Sequence, residues 1–151
     1  LLRTSLARTR AGAVTIADET AVLRDYLEIQ ALRMEGRLSY AVDVAPELER
    51  YPIPPLLVQP LVENAVLHGI EPKAEGGRVE VSVRPEAGGV VIAVDDDGVG
   101  FADDDASTGT GLSNVRDRLR ALYGDRARLA LALPERGGLR AELHLPAENA
   151  A

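Results

Sequence analysis

The sequence predicts an α+β protein: a two-layer sandwich whose mostly antiparallel, mixed sheet is covered on one face by three helices. Two observations carry this expectation. Stretches that read as strands, by alternation or by a short continuous apolar run, fall in adjacent pairs, joined by the Gly- and Pro-bearing turns at residues 85–89 and 134–138, a pattern of antiparallel hairpins. Three longer stretches with helix signals are interspersed without the regular strand-helix alternation of a doubly wound fold. At 151 residues and 46% hydrophobic, one domain is expected, able to bury roughly 70% of its unfolded surface. With four Tyr, one Phe and no Trp, aliphatic side chains must fill the core.

The elements follow in order. Thr15, with Asp18 and Glu19 behind it, predicts a helix start, and Gly36 closes that helix after about Glu35. Leu23, Tyr26, Leu27 and Met34 fall on one face of it as core positions. Leu38, Tyr40, Val42 and Val44 alternate with polar or small neighbours and predict a strand. Pro54 and Pro55 suit the first turn of a second helix ending near Gly69, and Pro60 either kinks that helix or marks its true start. Val79, Val81 and Val83 form a strand that turns into the continuous apolar run from Val90 to Val94, a buried strand. Gly111 to Tyr123 predicts a third helix closed by Gly124. Leu129, Leu131 and Leu133 form one strand and Leu139, Ala141, Leu143 and Leu145 another, with a loose tail after Pro146.

Composition excludes several functions. A net charge of −7 with a single lysine, Lys73, argues against a nucleic-acid surface and against a polybasic membrane patch. The absence of cysteine excludes disulfides, zinc thiolates and thiol catalysis. No apolar run reaches the ~18 residues of a membrane span, and no signal peptide is evident. The chain begins at Leu1 and not Met, so it is expected to be a piece of a longer protein.

Three clusters carry chemistry. Glu63 and Asn64 sit on the Pro-rich helix with His68 four residues after Asn64, on the same face. An Asn carbonyl projecting from a helix can ligate a hard cation such as Mg2+; taken alone, such a cluster is more often a solvated helix face. Asp95-Asp96-Asp97-Gly98-Val99-Gly100 ends a buried strand, where a carboxylate can accept from a ligand amino group and glycines admit close backbone approach. As a structural feature it is an acidic strand-terminating turn. Gly109-Thr110-Gly111-Leu112-Ser113-Asn114 opens the third helix, and free N–H groups at such a start favour an anion. It is neither a dinucleotide fingerprint, since Asn114 stands where a third Gly belongs, nor a P-loop, since no Gly-Lys-Ser/Thr exists.

In this order the clusters resemble the Bergerat ATP-binding fold of the GHKL superfamily, shared by sensor histidine kinases, gyrase, Hsp90 and mismatch-repair ATPases. The closest likeness is to LytS-type sensor histidine kinases. It rests on Tyr26-Leu27-Glu28-Ile29-Gln30, on the run from Ile53-Pro54-Pro55 to Glu63-Asn64-Ala65, and on Gly109-Thr110-Gly111-Leu112-Ser113-Asn114-Val115-Arg116-Asp117-Arg118-Leu119. It covers nearly the whole chain. The resemblance implies a catalytic, ATP-binding domain at residues 13–151. Residues 1–12 would be the stub of an upstream dimerisation and phosphoacceptor helix. Asn64 would bind Mg2+, with Glu63 near its water shell, and these two are the candidate catalytic residues. His68 would border adenine and ribose, and Asp96 would accept from the adenine amino group. Gly98 and Gly100 would shape the adenine pocket. Gly109, Thr110, Gly111 and Leu112 would bring main-chain N–H groups to the phosphates. Residues 101–108, with Asp103, Asp104 and Asp105, would form a short lid. With Lys73 outside the motifs, Arg116 is the candidate side chain to help offset the phosphate charge.

The implied partners are ATP, the chain's own upstream phosphoacceptor and dimerisation domain, and a response regulator for the full-length protein. The implied location is the cytoplasm, as part of a membrane-anchored sensor, with no direct membrane contact by these residues. No acceptor histidine is evident here: His144 alternates with apolar neighbours on a strand as an exposed polar residue. The chain is therefore expected to bind ATP, not to phosphorylate itself, and to be monomeric. Two departures from the family pattern stand out. Leu67 occupies a place where related kinases often carry a basic phosphate contact, and Leu139 follows Gly138 where Thr is usual. The competing expectations are a GHKL-type ATPase and a degenerate nucleotide-binding or interaction module.

Overall fold

The computed structural model describes residues 13–100 and 110–147. The order is β1 (Val14–Thr15), α1 (Ile16–Arg33), β2 (Leu38–Val44), β3 (Pro52–Ile53), α2 (Gln59–Asn64), β4 (Gly77–Glu86), β5 (Gly89–Asp96), α3 (Thr110–Tyr123), β6 (Arg128–Ala132) and β7 (Leu139–Pro146). A π-helical segment, Ala65–Ile70, continues α2 directly. The five-stranded sheet runs β2-β4-β5-β7-β6. Only β2–β4 is parallel; the other three pairings are antiparallel. The α+β sandwich expected from the sequence is therefore the one observed, with a mixed sheet.

The helices cover one face. Leu23 and Leu27 of α1, Leu61 and Val62 of α2, and Leu112, Val115 and Leu119 of α3 are buried against Val79, Val81 and Val83 of β4, Ile92 and Val94 of β5, and Leu143 of β7. Each such aliphatic side chain contributes roughly 2–3 kcal/mol on leaving water. The other sheet face is charged. Arg84 pairs with Asp43, and Arg140 bridges Asp95 and Glu142. His144 is not simply exposed: its ring lies 2.7 Å from Glu86 and 2.9 Å from Glu142.

Local chemistry explains most boundaries. The Thr15 hydroxyl accepts from Asp18 N–H at 3.0 Å and the Asp18 carboxylate accepts from Thr15 N–H at 3.1 Å, a capping box that starts α1. The first helix ends at Arg33, and Glu35 and Gly36 turn the chain with positive φ. The β4–β5 hairpin closes with Glu86 opposite Gly89. Strand β6 stops at Ala132, so Leu133 is not in it and is exposed.

The second helix departs from expectation. It starts at Gln59, not at Pro54-Pro55, so Pro60 stands in its first turn, where a missing N–H costs nothing. Its N-terminus is held by Glu19 of α1, which is buried. The Glu19 carboxylate accepts from the N–H groups of Leu56 (3.0 Å), Val58 (3.1 Å) and Gln59 (3.3 Å). It thus fixes a turn in which Leu56 has φ +58°. Glu19→Ala leaves three N–H groups without that acceptor and is expected to cost about 2–4 kcal/mol in urea unfolding. The helical run ends at Ile70, next to the expected Gly69.

Candidate functional site

Strand β5 delivers Asp96 to the protein interior. Its side chain is 3% exposed, and Oδ1 accepts from Gly98 N–H at 2.9 Å. Burial pushes the carboxyl up from 3.8 to about 6, against the pull of main-chain hydrogen bonds from Gly98 and Leu139, while the Asp97 and Asp95 carboxylates push the same way. A carboxylate kept partly desolvated at a strand end, with main-chain donors holding it in place, is suited to accept from a ligand amino group.

The surrounding backbone is close-packed. A Cβ on Gly98 would lie 2.0 Å from the Gly69 carbonyl oxygen, and Val99 N–H donates to that same oxygen at 3.0 Å. A Cβ on Gly69 would lie 2.7 Å from Asp96 Oδ1. Gly69 is thus the point where the π-helical segment touches the strand end. On the other side, Gly138, at φ +86°, lies against the Asp96 main chain, where a Cβ would be 1.9 Å from the Asp96 carbonyl oxygen. Asp97 accepts from Arg78 N–H at 2.7 Å through its carboxylate, and its carbonyl accepts from Lys73 Nζ at 2.9 Å. The lysine outside the motifs thereby pins the loop before β4 to the residue after Asp96.

A second part of the site lies between α2 with its π-helical continuation and the start of α3. Pro60, Glu63, Asn64, Leu67, His68, Gly111 and Asn114 line a pocket of ≈ 300 Å3. Glu63 accepts from Gln59 Nε2 at 3.2 Å. Val58, Leu61, Val62 and Ala65 are turned into the core as expected. The pocket thus gathers Glu63, Asn64, His68 and Gly111 of the sequence candidates. Asp96 and Gly98 lie at the Gly69 end of the same helical run. Gly100 sits near Gly138, where a Cβ on Gly100 would lie 3.4 Å from the Gly138 carbonyl oxygen. The Leu112 side chain is buried in the core, so only its main chain can face a ligand. Thr110 begins α3. Gly109, residues 101–108 with Asp103, Asp104 and Asp105, and residues 1–12 lie outside the described residues.

Arg116 is displaced from its expected role. It lines a different groove, with Arg120 and Arg128. Arg118 is four residues after Asn114 and seven after Gly111, so it shares their face of α3. Sequence reasoning also missed Pro60 and Asn114 as pocket residues, Gly69, Gly138 and Leu139 as neighbours of Asp96, and Lys73 as a partner of Asp97. The one available signal was Asn114 in the first turn of a Gly-rich helix start.

Residues 54–149 match the family described as histidine kinase-, DNA gyrase B- and HSP90-like ATPase. The sensor histidine kinase YesM of Bacillus subtilis is 31% identical over 99% of this chain and 26% of its own length. BtsS of Escherichia coli K12, also a sensor histidine kinase, is 32% identical over 88% of this chain and 24% of its own length. The sensor histidine kinase/phosphatase LytS of Staphylococcus aureus is 31% identical over 84% of this chain and 24% of its own length. The chain therefore spans about a quarter of the length of these relatives. In fold, it is similar to the catalytic domain of histidine kinase ThkA (TM-score 0.68, 14% identity, 89% of this chain and 96% of that one). It is also similar to the histidine kinase domain of a blue-light activated histidine kinase from Erythrobacter litoralis (TM-score 0.64, 22% identity, 93% and 68%). The match over residues 54–149 decides the family: the chain belongs to the histidine kinase-, DNA gyrase B- and HSP90-like ATPases.

Proposed function

We propose that residues 13–151 hold Mg-ATP with the base at Asp96 and the phosphates between Asn64 and the start of α3, presenting the γ-phosphate to a histidine supplied by an upstream part of the full-length protein. The observation that carries this is the continuity of one helical run: it touches Asp96 through Gly69 at one end and lines the 300 Å3 pocket with Glu63, Asn64 and His68 along its length. Asp96 accepts from the adenine amino group. Guanine would set a carbonyl oxygen against that carboxylate, at a cost of about 1–3 kcal/mol or roughly 5- to 150-fold in affinity.

The donor set suits Mg2+. Asn64 offers one amide oxygen and Glu63 one carboxylate in the same pocket, and no group of three or more His, Cys, Asp or Glu that could hold an ion occurs among the described residues. So sparse a set fits an ion that keeps its waters and shares the nucleotide's phosphates. Such an ion neutralises phosphate charge. Gly111 and its neighbours turn N–H groups toward the phosphates at the helix start, and Arg118, on the same face, adds positive charge. His68 borders the base and ribose. Gln59 holds the Glu63 carboxylate in place. Catalysis is then mostly orientation of the γ-phosphate for in-line attack by a neutral histidine nitrogen, the P–N bond forming as the bond to the β–γ bridging oxygen breaks and ADP leaves. The partners of the full-length protein are its own phosphoacceptor domain and a response regulator, and its location is the cytoplasmic side.

A second reading, nucleotide binding without turnover, draws support from Leu67, an exposed apolar side chain on the pocket wall. Incubation with labelled ATP and a separately supplied phosphoacceptor domain distinguishes the two: the kinase reading expects label on the acceptor histidine, and binding without label transfer supports the second. Asn64→Ala is expected to reduce transfer at least about a hundredfold, with the fold preserved by circular dichroism; transfer at the wild-type rate would remove Asn64 from the site.

A further inference from the structure

The stretch from Arg116 to Arg128 carries five arginines against two aspartates, in a chain of net charge −7. Elsewhere among the described residues most guanidinium groups are engaged. Arg33, Arg78, Arg84 and Arg140 form ion pairs, and Arg24 and Arg37 donate to main-chain carbonyls. Arg116, Arg120 and Arg128 have no hydrogen-bond or ion-pair partner among the described residues, yet all three line one groove of ≈ 310 Å3 between the end of α3 and the start of β6. Arg116 and Arg120 are four apart on one helix face. Among the described residues that line the groove, one is acidic, Asp125. Three unpaired cations gathered at one rim repel one another, and an anionic occupant relieves that repulsion.

The same groove borders a sheet edge. Strand β6 is outermost and pairs only with β7 among the described strands, so no described strand occupies the other side of its main chain, the side to which a further strand can add. Edge N–H and C=O groups recognise a polypeptide backbone; a lipid surface or a free phosphate leaves them unused. The negative charge of the rest of the chain also disfavours a long polyanion, which would have to cross it.

We propose that the arginine groove and the open edge of β6 together dock an extended acidic segment of a partner protein. The segment adds to β6 as a strand and sets its carboxylates against Arg116, Arg120 and Arg128. The surface is separate from the nucleotide pocket, which lies against Gly111 and Asn114 on another face of α3. It therefore stands or falls independently of the nucleotide assignment.

Fluorescence anisotropy on the 151-residue chain tests this, with a short labelled peptide alternating Glu and Val as the probe. Binding is expected to weaken steeply with salt and to drop about tenfold or more in Arg120→Glu and in Arg128→Glu. It is expected to disappear when alternate peptide amides are N-methylated, with ATP affinity unchanged in both variants. No binding of the peptide, equal binding by wild type and both variants, or equal binding of the N-methylated peptide overturns the proposal. So does binding of phosphatidylserine vesicles or inorganic phosphate at this groove without binding of the peptide.

Discussion

Gly98→Ala is expected to cost the chain at least about 3 kcal/mol of stability and to abolish nucleotide binding with it. The new Cβ would lie 2.0 Å from the Gly69 carbonyl oxygen and 2.2 Å from its carbon. Both contacts are main chain, so no rotamer change relieves them. The strand end and the π-helical segment would have to separate, breaking the Val99–Gly69 hydrogen bond and drawing Gly69 away from the Asp96 carboxylate. Gly88→Ala is the control. Gly88 has positive φ, at +81°, but nothing lies within 4 Å of a Cβ there, so only backbone strain of about 1 kcal/mol is expected. Urea unfolding of the two variants, followed by ATP titration, checks the difference; equal losses would mean that the close approach at Gly69 is not what Gly98 serves.

Asp96 gives the second large effect, in opposite directions for stability and for binding. Because its carboxyl is raised from 3.8 to about 6 in the fold, the folded chain holds that proton more tightly than the unfolded one. Its contribution to stability is complete below pH 3.8 and is lost as pH rises through about 6. Compared with Asp96→Asn, which has no such titration, wild type is expected to lose about 2–3 kcal/mol of stability between about pH 4 and pH 7. Nucleotide binding runs the other way. The ionised carboxylate is the better acceptor for an amino group, so ATP affinity in wild type should fall as pH drops through about 6, while that of Asp96→Asn stays weak and flat. Paired unfolding and binding curves across this range check both signs; a stability difference independent of pH would mean that Asp96 is not desolvated in the fold.

Those two effects depend on contacts that the sequence makes legible to different degrees. Asp96 is legible because its cluster ends a continuous apolar run, and the helix carrying Glu63 and Asn64 is legible through its proline and apolar spacing. The Thr15 and Asp18 capping box is likewise local, with both partners three residues apart. What escapes local patterning is set by partners far along the chain. Glu19 looks like an ordinary first-turn acid of α1, yet it holds N–H groups up to 40 residues away. Gly69 looks like a helix stop, because nothing near it in sequence reveals that Asp96 needs the space a side chain would fill. The miniature pairing of β1 with β3 involves two residues on each side, too few for any alternation to register. Arg116 and Arg118 lie on different sides of α3 by their spacing, but which side meets the pocket depends on how α3 packs against the rest of the fold.

The binding pocket itself is tested most directly by calorimetric titration of the 151-residue chain with ATP and with GTP in the presence of magnesium, for wild type and for Asp96→Asn. Wild type is expected to bind ATP roughly 5- to 150-fold more tightly than GTP, and Asp96→Asn to lose that preference through weaker ATP binding. Equal ATP affinity in the two proteins, or no heat with wild type at all, would contradict a nucleotide held with its base at Asp96.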